Sequence, residues 1–398
     1  MFAAPFGRGS TNWREAGRIA IVTLLAFLPA NAQLPASAKL SDQDEKAFRE
    51  EVARVEGMLS VSSDQLTVAY NLARTWASAK QWPQTIELLR KIASSGIDPS
   101  RDKLFDDLRG TAEFTAILNT VREATAPVAN SVAAFEISEG DLAPESVAYD
   151  SKRFYFGSMR KGKVLRCSEK GVCETFVEGL GEVLGLKARH DGLWVLSNTE
   201  QESALLHYDL SHGTVLGKFA ITGPGHAFND LAFTAQGDVY FTDTVAGVVW
   251  HLAPGASSLR QLRANFTFAN GIALSPDDRL LYVSSYGDGI SVMDLKTRKV
   301  MPIGHPADLC LGAIDGLYFH RGTLIAIQNG FVAPRVVRLK LSKDLKTVEQ
   351  WDVLERGNPR FEGVTTGVVV GSEFFYMANI QDQKKTEYKP IAVLKLRM

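Results

Sequence analysis

From about residue 130 to the C-terminus, the apolar positions come in short runs of four to seven residues separated by Gly- and Asp-bearing turns. Runs of that length with period-two alternation read as antiparallel strands. The stretch GHAFNDLAFTAQGDVYFTDTVAGVVWHL, Gly225 to Leu252, shows the unit. Leu231–Phe233 is an apolar run that ends at Gln236-Gly237, Val239–Thr244 alternates, and Gly247–Leu252 follows a tight turn. The same paired runs recur as Arg153–Met159 with Gly162–Ser168, Gly192–Asn198 with Ala204–Leu210, Asp238–Thr244 with Gly247–Ala253, Leu280–Tyr286 with Gly289–Leu295, Thr323–Asn329 with Arg335–Leu341, and Glu373–Asn379 with Ile391–Arg397. An inner apolar piece precedes each pair, and a weaker outer strand follows most of them. Six such units, roughly 40 to 50 residues apart, predict the blades of a β-propeller. The chain ends on the third strand of the last unit, so Val132–Ile137 is expected to supply its outer strand and close the ring.

The N-terminal third has a different period. Phe48, Val52, Val55 and Met58 recur at helical spacing, as do Leu66, Tyr70, Leu72, Ala73 and Trp76, then Ile86, Leu88, Leu89 and Ile92. Ser41 with Asp44 behind it reads as a helix start, and Pro83 fits a first turn. The hairpin implied by Ala69, Leu72, Ala73 and Ile86 resembles a tetratricopeptide unit, without a second clean copy. It reads either as a small helical domain packing on its neighbour or as a module for a protein partner. Ahead of it, Arg14 and Arg18 precede the apolar run Ile19–Leu28 and the small residues Ala30 and Ala32. That order is the pattern of a signal peptide cut after Ala32. The expected organisation is therefore a signal peptide at 1–32, an α-helical domain at 33–128 and an all-β six-bladed propeller at 129–398. The expected location is periplasmic or secreted.

Composition narrows the picture. A formal net charge of −1 over 398 residues argues against a nucleic-acid partner. Three cysteines are too few for a disulfide scaffold. Cys167 and Cys173 face each other across an apparent hairpin and are able to pair in an oxidising compartment, whereas Cys310 reads as a buried thiol. A ring that closes on itself leaves a monomer as the default.

The candidate chemistry stands where the inner strands open. The six units place Glu145, Glu182, Asn229-Asp230, Asn270, Asp315 and Glu362 at or just before that point. Singly, Asn270-Gly271 and Asp315-Gly316 read as turns and Asn229-Asp230 as an Asx cap. In register around a ring they read as a site. Two carboxylates and two amides offer hard oxygen donors, the set that suits Ca²⁺ first, with Mg²⁺ and Mn²⁺ next and Zn²⁺ as a further alternative. Asp315, Asp230 and His226 are the candidates for proton transfer or nucleophilic attack. His190 reads first as a turn residue. No Ser in a G-x-S-x-G setting and no convincing phosphate loop is present, which argues against a serine hydrolase or a nucleotide enzyme.

On these residues the chain resembles the senescence-marker-protein/gluconolactonase family, which includes luciferin-regenerating-enzyme-like proteins. The matching segments are FANGIALSPDDRLLYV, AIDGL and NDLAFTAQGDVYFTDT. The resemblance implies a six-bladed propeller with one catalytic divalent cation in its channel. Carried over, the ligands are Glu145, Asn229, Asn270 and Asp315, and the activity is hydrolysis of a lactone or similar ester. Pro144-Glu145-Ser146 departs from the Glu-Gly-Pro that the family often has, and the short loops leave the substrate open. The other readings are a non-catalytic NHL-like propeller and a phosphotriesterase-like hydrolase using the same metal site.

Overall fold

A computed structural model describes residues 33–58, 62, 64–150, 152–331, 333–380 and 387–398. The expected signal segment, 1–32, lies outside the described residues. Helices α1 (Asp42–Met58), α2 (Gln65–Ser78), α3 (Trp82–Ile92) and α4 (Ala112–Ala124) come first, followed by strand β1 (Val132–Ile137). Blade one comprises β2 (Pro144–Tyr149), β3 (Arg153–Ser158), β4 (Lys163–Ser168) and β5 (Cys173–Glu178). Blade two is β6 (Glu182–Arg189), β7 (Gly192–Asn198), β8 (Glu202–Tyr208) and β9 (Val215–Thr222). Blade three is β10 (Phe228–Phe233), β11 (Val239–Asp243), β12 (Val248–Leu252) and β13 (Arg260–Arg263). Blade four is β14 (Ala269–Leu274), β15 (Leu280–Ser285), β16 (Gly289–Asp294) and β17 (Val300–Pro302). Blade five is β18 (Ile314–His320), β19 (Thr323–Gln328), β20 (Arg335–Leu341) and β21 (Val348–Arg356). Blade six is β22 (Gly367–Val370), β23 (Glu373–Met377) and β24 (Ile391–Arg397), completed by β1 on its outer edge.

The ring therefore closes as the pattern predicts. β1 pairs antiparallel with β24 from Val132↔Lys395 to Ile137↔Ile391, so the last sheet contains both ends of the propeller. Closure removes the open edge that a row of short strands would otherwise expose. The core lies between neighbouring blades. Leu280, Tyr282 and Ile290 of blade four, for example, pack with Leu317, Leu324 and Ala326 of blade five, all buried. Inward-facing apolar residues thus serve as mortar, and the axis is left to polar side chains.

Polar hydrogen bonds tie five of the six pairs of neighbouring blades together at one end of the ring. Asn198 Nδ2 donates to Phe228 O at 2.9 Å, Thr242 Oγ1 to Asn270 O at 2.7 Å and Ser284 Oγ to Ile314 O at 3.3 Å. Gly367 N donates to Tyr318 Oη at 2.7 Å, and Thr366 Oγ1 donates to Glu145 O. Each acceptor or donor on the receiving side lies on or next to an inner strand. The inner strands are thereby fixed relative to one another at the end where the candidate residues stand.

The helices form a compact group ahead of the ring. Trp82, Ile86 and Leu89 of α3 bury against Phe105, Phe114 and Ile117. Asp64 caps α2 by accepting from Thr67 N at 3.1 Å. The region is docked on the propeller: Arg356 Nε donates to Ala126 O at 2.8 Å, Arg335 Nη1 to Ser95 O at 3.3 Å, and the Cys310 thiol to Asp64 Oδ2 at 3.3 Å.

Cys167 and Cys173 are directly opposite in the β4–β5 pair and form a disulfide. Cys310 is a free, buried thiol. A bridge that closes so short a loop restricts the unfolded chain modestly, by about 2 kcal/mol in the chain-entropy account. Cys173→Ser is accordingly expected to lower the urea-unfolding stability of the oxidised protein by about that amount. A reductant should abolish the difference between the two proteins; equal stability without reductant would show that the bridge contributes nothing.

Candidate functional site

The candidate residues are brought together by one backbone device, repeated. In blade three Phe228 pairs with Asp243 and Leu231 with Phe241, so Asn229 and Asp230 together oppose Thr242 alone. In blade four Asn270 and Gly271 oppose Ser284, and in blade five Asp315 and Gly316 oppose Ile327. In blade one Glu145 is the extra residue between Pro144↔Ser158 and Ser146↔Gly157. Each is a β-bulge, which bends a strand and re-aims the side chain it carries. Asn270-Gly271 and Asp315-Gly316 are thus bulges within strands, and the turn reading of these pairs is set aside.

Two glycines let the bulged strands converge. A Cβ on Gly185 would stand 2.2 Å from Asn229 O, and one on Gly271 would stand 2.5 Å from Asp315 O. No side chain fits in either place, so the neighbouring backbones approach closely there.

Blade six departs from the expectation. Its inner strand β22 pairs with β23 without a bulge. Glu362 lies five residues ahead of that strand, is 40% exposed and pairs with Lys389 at 3.0 Å. Thr366, whose hydroxyl bonds Glu145 O, stands at the strand opening in its place. Glu182, at the start of β6, is half-buried, and burial raises its carboxyl above the usual range. His190 sits in the β6–β7 hairpin at the opposite end of the ring.

Donor chemistry at the opening is well defined. Asn229 Nδ2 donates to Thr244 Oγ1 at 3.0 Å, and among the described residues its carbonyl oxygen has no hydrogen-bond partner. The Asn270 amide lies beside the Asp315 carboxylate, and among the described residues the buried Asn270 Oδ1 has no hydrogen-bond partner. An orphaned buried carbonyl oxygen is costly, of the order of 1–3 kcal/mol, unless something meets it. Asp315 also accepts from Asn329 Nδ2, whose own Oδ1 accepts from Tyr286 Oη at 3.0 Å. Burial pushes the Asp315 carboxyl up to about 7; the nearby Asp230 charge adds to the rise, and the Asn270 and Asn329 amides oppose it. Together with half-buried Glu145, these groups make an oxygen-donor set that a hard divalent cation fits, because it would meet the orphaned oxygen and offset the carboxylates. Among the described residues no three His, Cys, Asp or Glu side chains cluster as ligands, so such a site depends on its amides.

Asp230 is differently placed. Its Oδ1 accepts from Leu231 N at 2.8 Å and lies 3.3 Å from Lys187 Nζ, and its Oδ2 accepts from Ile272 N at 3.2 Å. Both oxygens are engaged, which leaves Asp230 as a brace between blades two, three and four. Lys187 also lies 5.1 Å from the ring centre of Tyr318 in blade five. The Lys187–Asp230–Tyr318 contacts join inner strands of three blades, and nothing in the apolar/polar pattern of a single blade signals them.

His226 is oriented by a carboxylate that sequence reasoning missed. Its Nδ1 lies 2.6 Å from Oδ2 of Asp243, which is fully buried. The same carboxylate accepts from Trp250 Nε1 at 3.2 Å, Ala227 N at 2.9 Å and Ala246 N at 3.2 Å. Among the described residues His226 Nε2 has no hydrogen-bond partner. Adjacent residues at the end of β11 thus hold two functional candidates: Asp243 holds His226 and Thr244 holds Asn229. The signal was present in the TDT triplet, but alternation alone reads Asp243 as a strand-end turn former.

Comparison with known proteins agrees with this architecture. Residues 143–317 match the family model described as the SMP-30/Gluconolactonase/LRE-like region, a span that contains Glu145, Asn229, Asn270 and Asp315. Lactonase drp35 of Staphylococcus saprophyticus is 25% identical over 220 residues, covering 46% of this chain and 64% of that protein. Lactonase drp35 of a bovine Staphylococcus aureus strain is 28% identical over 209 residues, with the same two coverages of 46% and 64%. The chain thus spans about 64% of the length of these relatives. A gluconolactonase from Xanthomonas campestris superposes with a TM-score of 0.50 at 16% identity, over 69% of this chain and 92% of that one, which shows a shared fold. The similarity to the SMP-30/gluconolactonase family thus lies within the propeller, over residues 143–317, and does not reach the helical region.

Two outcomes follow from the charges. Lys187→Met is expected to leave Asp230 buried without its counter-charge and to cost about 2–3 kcal/mol, less than a fully buried pair because Lys187 keeps some exposure. The double variant Lys187→Met/Asp230→Asn should recover part of that loss in chemical denaturation; no loss in the single variant would show the pair to be without structural weight. Between about pH 4, where an unfolded carboxyl titrates, and about pH 7 the folded chain holds a proton on Asp315 that the unfolded chain has released. Cation-free protein is therefore expected to lose stability as pH rises through that window. Asp315→Asn should flatten the slope of unfolding free energy against pH, and an unchanged slope would remove Asp315 as its source.

Proposed function

We propose that the chain is an exported, divalent-metal-dependent hydrolase of the lactonase type, with Ca²⁺ as the first-choice ion and a small cyclic ester as substrate. The observation that carries this reading is the orphaned, buried Oδ1 of Asn270, set among Asn229, Asp315 and Glu145 by bulges in four blades. A repeat selected for packing alone would not retain an unsatisfied amide at that place. The family-model match over residues 143–317 and the similarity to lactonases support the same class of reaction. Export is supported by the Cys167–Cys173 bridge, which persists in oxidising compartments.

Glu145, Asn229, Asn270 and Asp315 would hold the cation. When bound, it would polarise the ester carbonyl and offset the charge that develops on its oxygen. The Asn270 and Asn329 amides fix the Asp315 carboxylate in place. Once deprotonated, Asp315 can accept a proton from the attacking water, as its burial raises its basicity towards neutrality. The water oxygen then bonds to the carbonyl carbon, the ring C–O bond breaks, and the departing alkoxide takes up a proton to give the open hydroxy acid. We assign that second transfer to His226, whose Nδ1 is held by Asp243, leaving Nε2 as the exchanging atom. Lys187 neutralises Asp230, so the negative charge offered to a cation resides on Glu145 and Asp315.

Calorimetric titration with Ca²⁺ and pH-stat hydrolysis of a panel of lactones, aryl esters and phosphotriesters test the proposal together. Wild-type protein is expected to bind one Ca²⁺ and to open lactones, with chelator abolishing turnover. Asp315→Asn should lower kcat/KM on the order of 10²–10⁴-fold, and Asn270→Leu should weaken Ca²⁺ binding while stabilising the cation-free fold. Turnover that survives both the chelator and Asp315→Asn would sink the mechanism. Cleavage of phosphotriesters alone would replace the substrate class.

A further inference from the structure

The helical region docks on the end of blade five where Asp315 opens its strand. The ends of β19, β20 and β21 at that face carry Gln328, Arg335 and Arg356, and the loop 310–313 delivers β18 to the site. Two lines of contact reach this loop from the helices. Asp64, fully buried at the start of α2, accepts from the Cys310 thiol at 3.3 Å, and Thr67 Oγ1 lies 3.6 Å from the same sulfur. From the end of α3, Ser95 O accepts from Arg335 Nη1 at 3.3 Å. Arg335 Nε in turn donates to Gln328 Oε1 at 2.6 Å, and Gln328 Nε2 donates to Cys310 O at 3.0 Å and Gly312 O at 2.7 Å.

The loop is held in a conformation that needs holding. Ala313 sits at φ +56°, a left-handed backbone that costs a non-glycine residue about 1 kcal/mol. Its N–H donates to Tyr286 O at 2.7 Å, and its carbonyl accepts from Asn329 N at 3.2 Å. Tyr286 and Asn329 are the residues that form the hydrogen-bonded chain behind the Asp315 carboxylate. A continuous path of contacts therefore runs from Asp64 through Gly312 and Ala313 to Asp315. The tightest point on it is Gly312, where a Cβ would stand 2.4 Å from Asp64 Oδ2 and 2.7 Å from Thr67 Oγ1.

We infer that the helical region is a fixed buttress of the cation site, and that Asp64 is a positioning residue acting on Asp315 through Gly312 and Ala313. Undocking of the helices would release the left-handed Ala313 and loosen the Asp315–Asn329 pair. The inference rests on the metal reading only for its effect on cation affinity; the positional coupling stands apart from it.

The test is made on the full chain with Gly312→Ala. The glycine has no left-handed φ, and the nearest atoms to the added methyl all belong to the helical region. Amide hydrogen exchange over residues 313–316 and at Asn329 is measured without cation, and Ca²⁺ affinity by calorimetry. Gly312→Ala is expected to speed exchange at these amides and to weaken Ca²⁺ binding by roughly 10- to 100-fold, the usual effect of disturbing groups that orient ligands. Gly312→Ala/Asp64→Ser should restore both, since serine still caps α2 but is shorter. Should Gly312→Ala not fold, Asp64→Ala takes its place: faster exchange over 313–316 supports the coupling, and exchange unchanged from wild type refutes it. Exchange and affinity both unaltered in Gly312→Ala would also overturn the inference. A wild-type protein that binds no Ca²⁺ would count against the metal reading alone, and the exchange result would still decide for or against the buttress.

Discussion

The site depends on the bulge at the opening of the inner strands. A regular strand alternates its side chains between two faces, and in a propeller both faces are claimed by neighbouring blades. A polar residue in a regular strand would therefore enter an apolar seam. The extra residue at Glu145, Asn229, Asn270 and Asp315 breaks the alternation at one point and frees that side chain from the seam. Gly185 and Gly271 let adjacent strands close in on the bulges. Thr242, Ser284 and Thr366 then satisfy inner-strand carbonyls, which a bulge removes from the ladder. The same irregularity recurs in register in four blades of a closed ring.

Charge at this opening is partitioned between two carboxylates that differ mainly in their partners. Asp230 has backbone N–H groups on both oxygens and the Lys187 ammonium beside it. Among the described residues Asp315 has two neutral amides and no cation beside it, and burial raises its carboxyl. A buried carboxyl raised towards neutrality is a usual mark of a working site. The orphaned Asn270 carbonyl points the same way, since a polar core built only for stability leaves no acceptor unpaired. Asp243, with four donors around it, completes the contrast: it is a fixed anion whose function is to hold His226.

Much of this was legible in the chain itself, for a definable reason. Strand pairs repeat, so Val132–Ile137 could be assigned to the last blade before any pairing was seen. Register was legible as well, because Asn270, Asp315 and Asn229 occupy equal places relative to their alternating strands. Where the repeat fails, so does the reading. Blade six lacks the bulge, so counting back from its strand picked Glu362, which faces solvent with Lys389, over Thr366. Contacts made across blades left no mark in any single blade: Lys187 meets Asp230, and Asn329 meets Asp315, only after the ring has closed. Asp243 was hidden by its position at a strand end, where an aspartate needs no special reason.

The helical region illustrates the same limit from the other side. Its stripes show that Ile86, Leu89 and Ile92 must be buried, and they are, within the helices themselves. What they do not show is where the remaining polar residues go. Asp64 is an ordinary helix cap by sequence, yet it is wholly buried because the propeller covers it. Among the described residues, this buried carboxylate takes a thiol and one N–H of its own helix as donors, which compensates it poorly in stability terms. Its surroundings therefore bear on position more than on strength: Cys310 and Gly312 lie in the loop that leads to Asp315, and Arg335 is tied to that loop through Gln328. An interface optimised for adhesion would have used apolar side chains at that point. One that must hold a strained loop in register is better served by short, directional contacts, since hydrogen bonds constrain angle as well as distance. The polar character of the docking surface is thus an argument that the helices were fitted to the site and not merely to the ring.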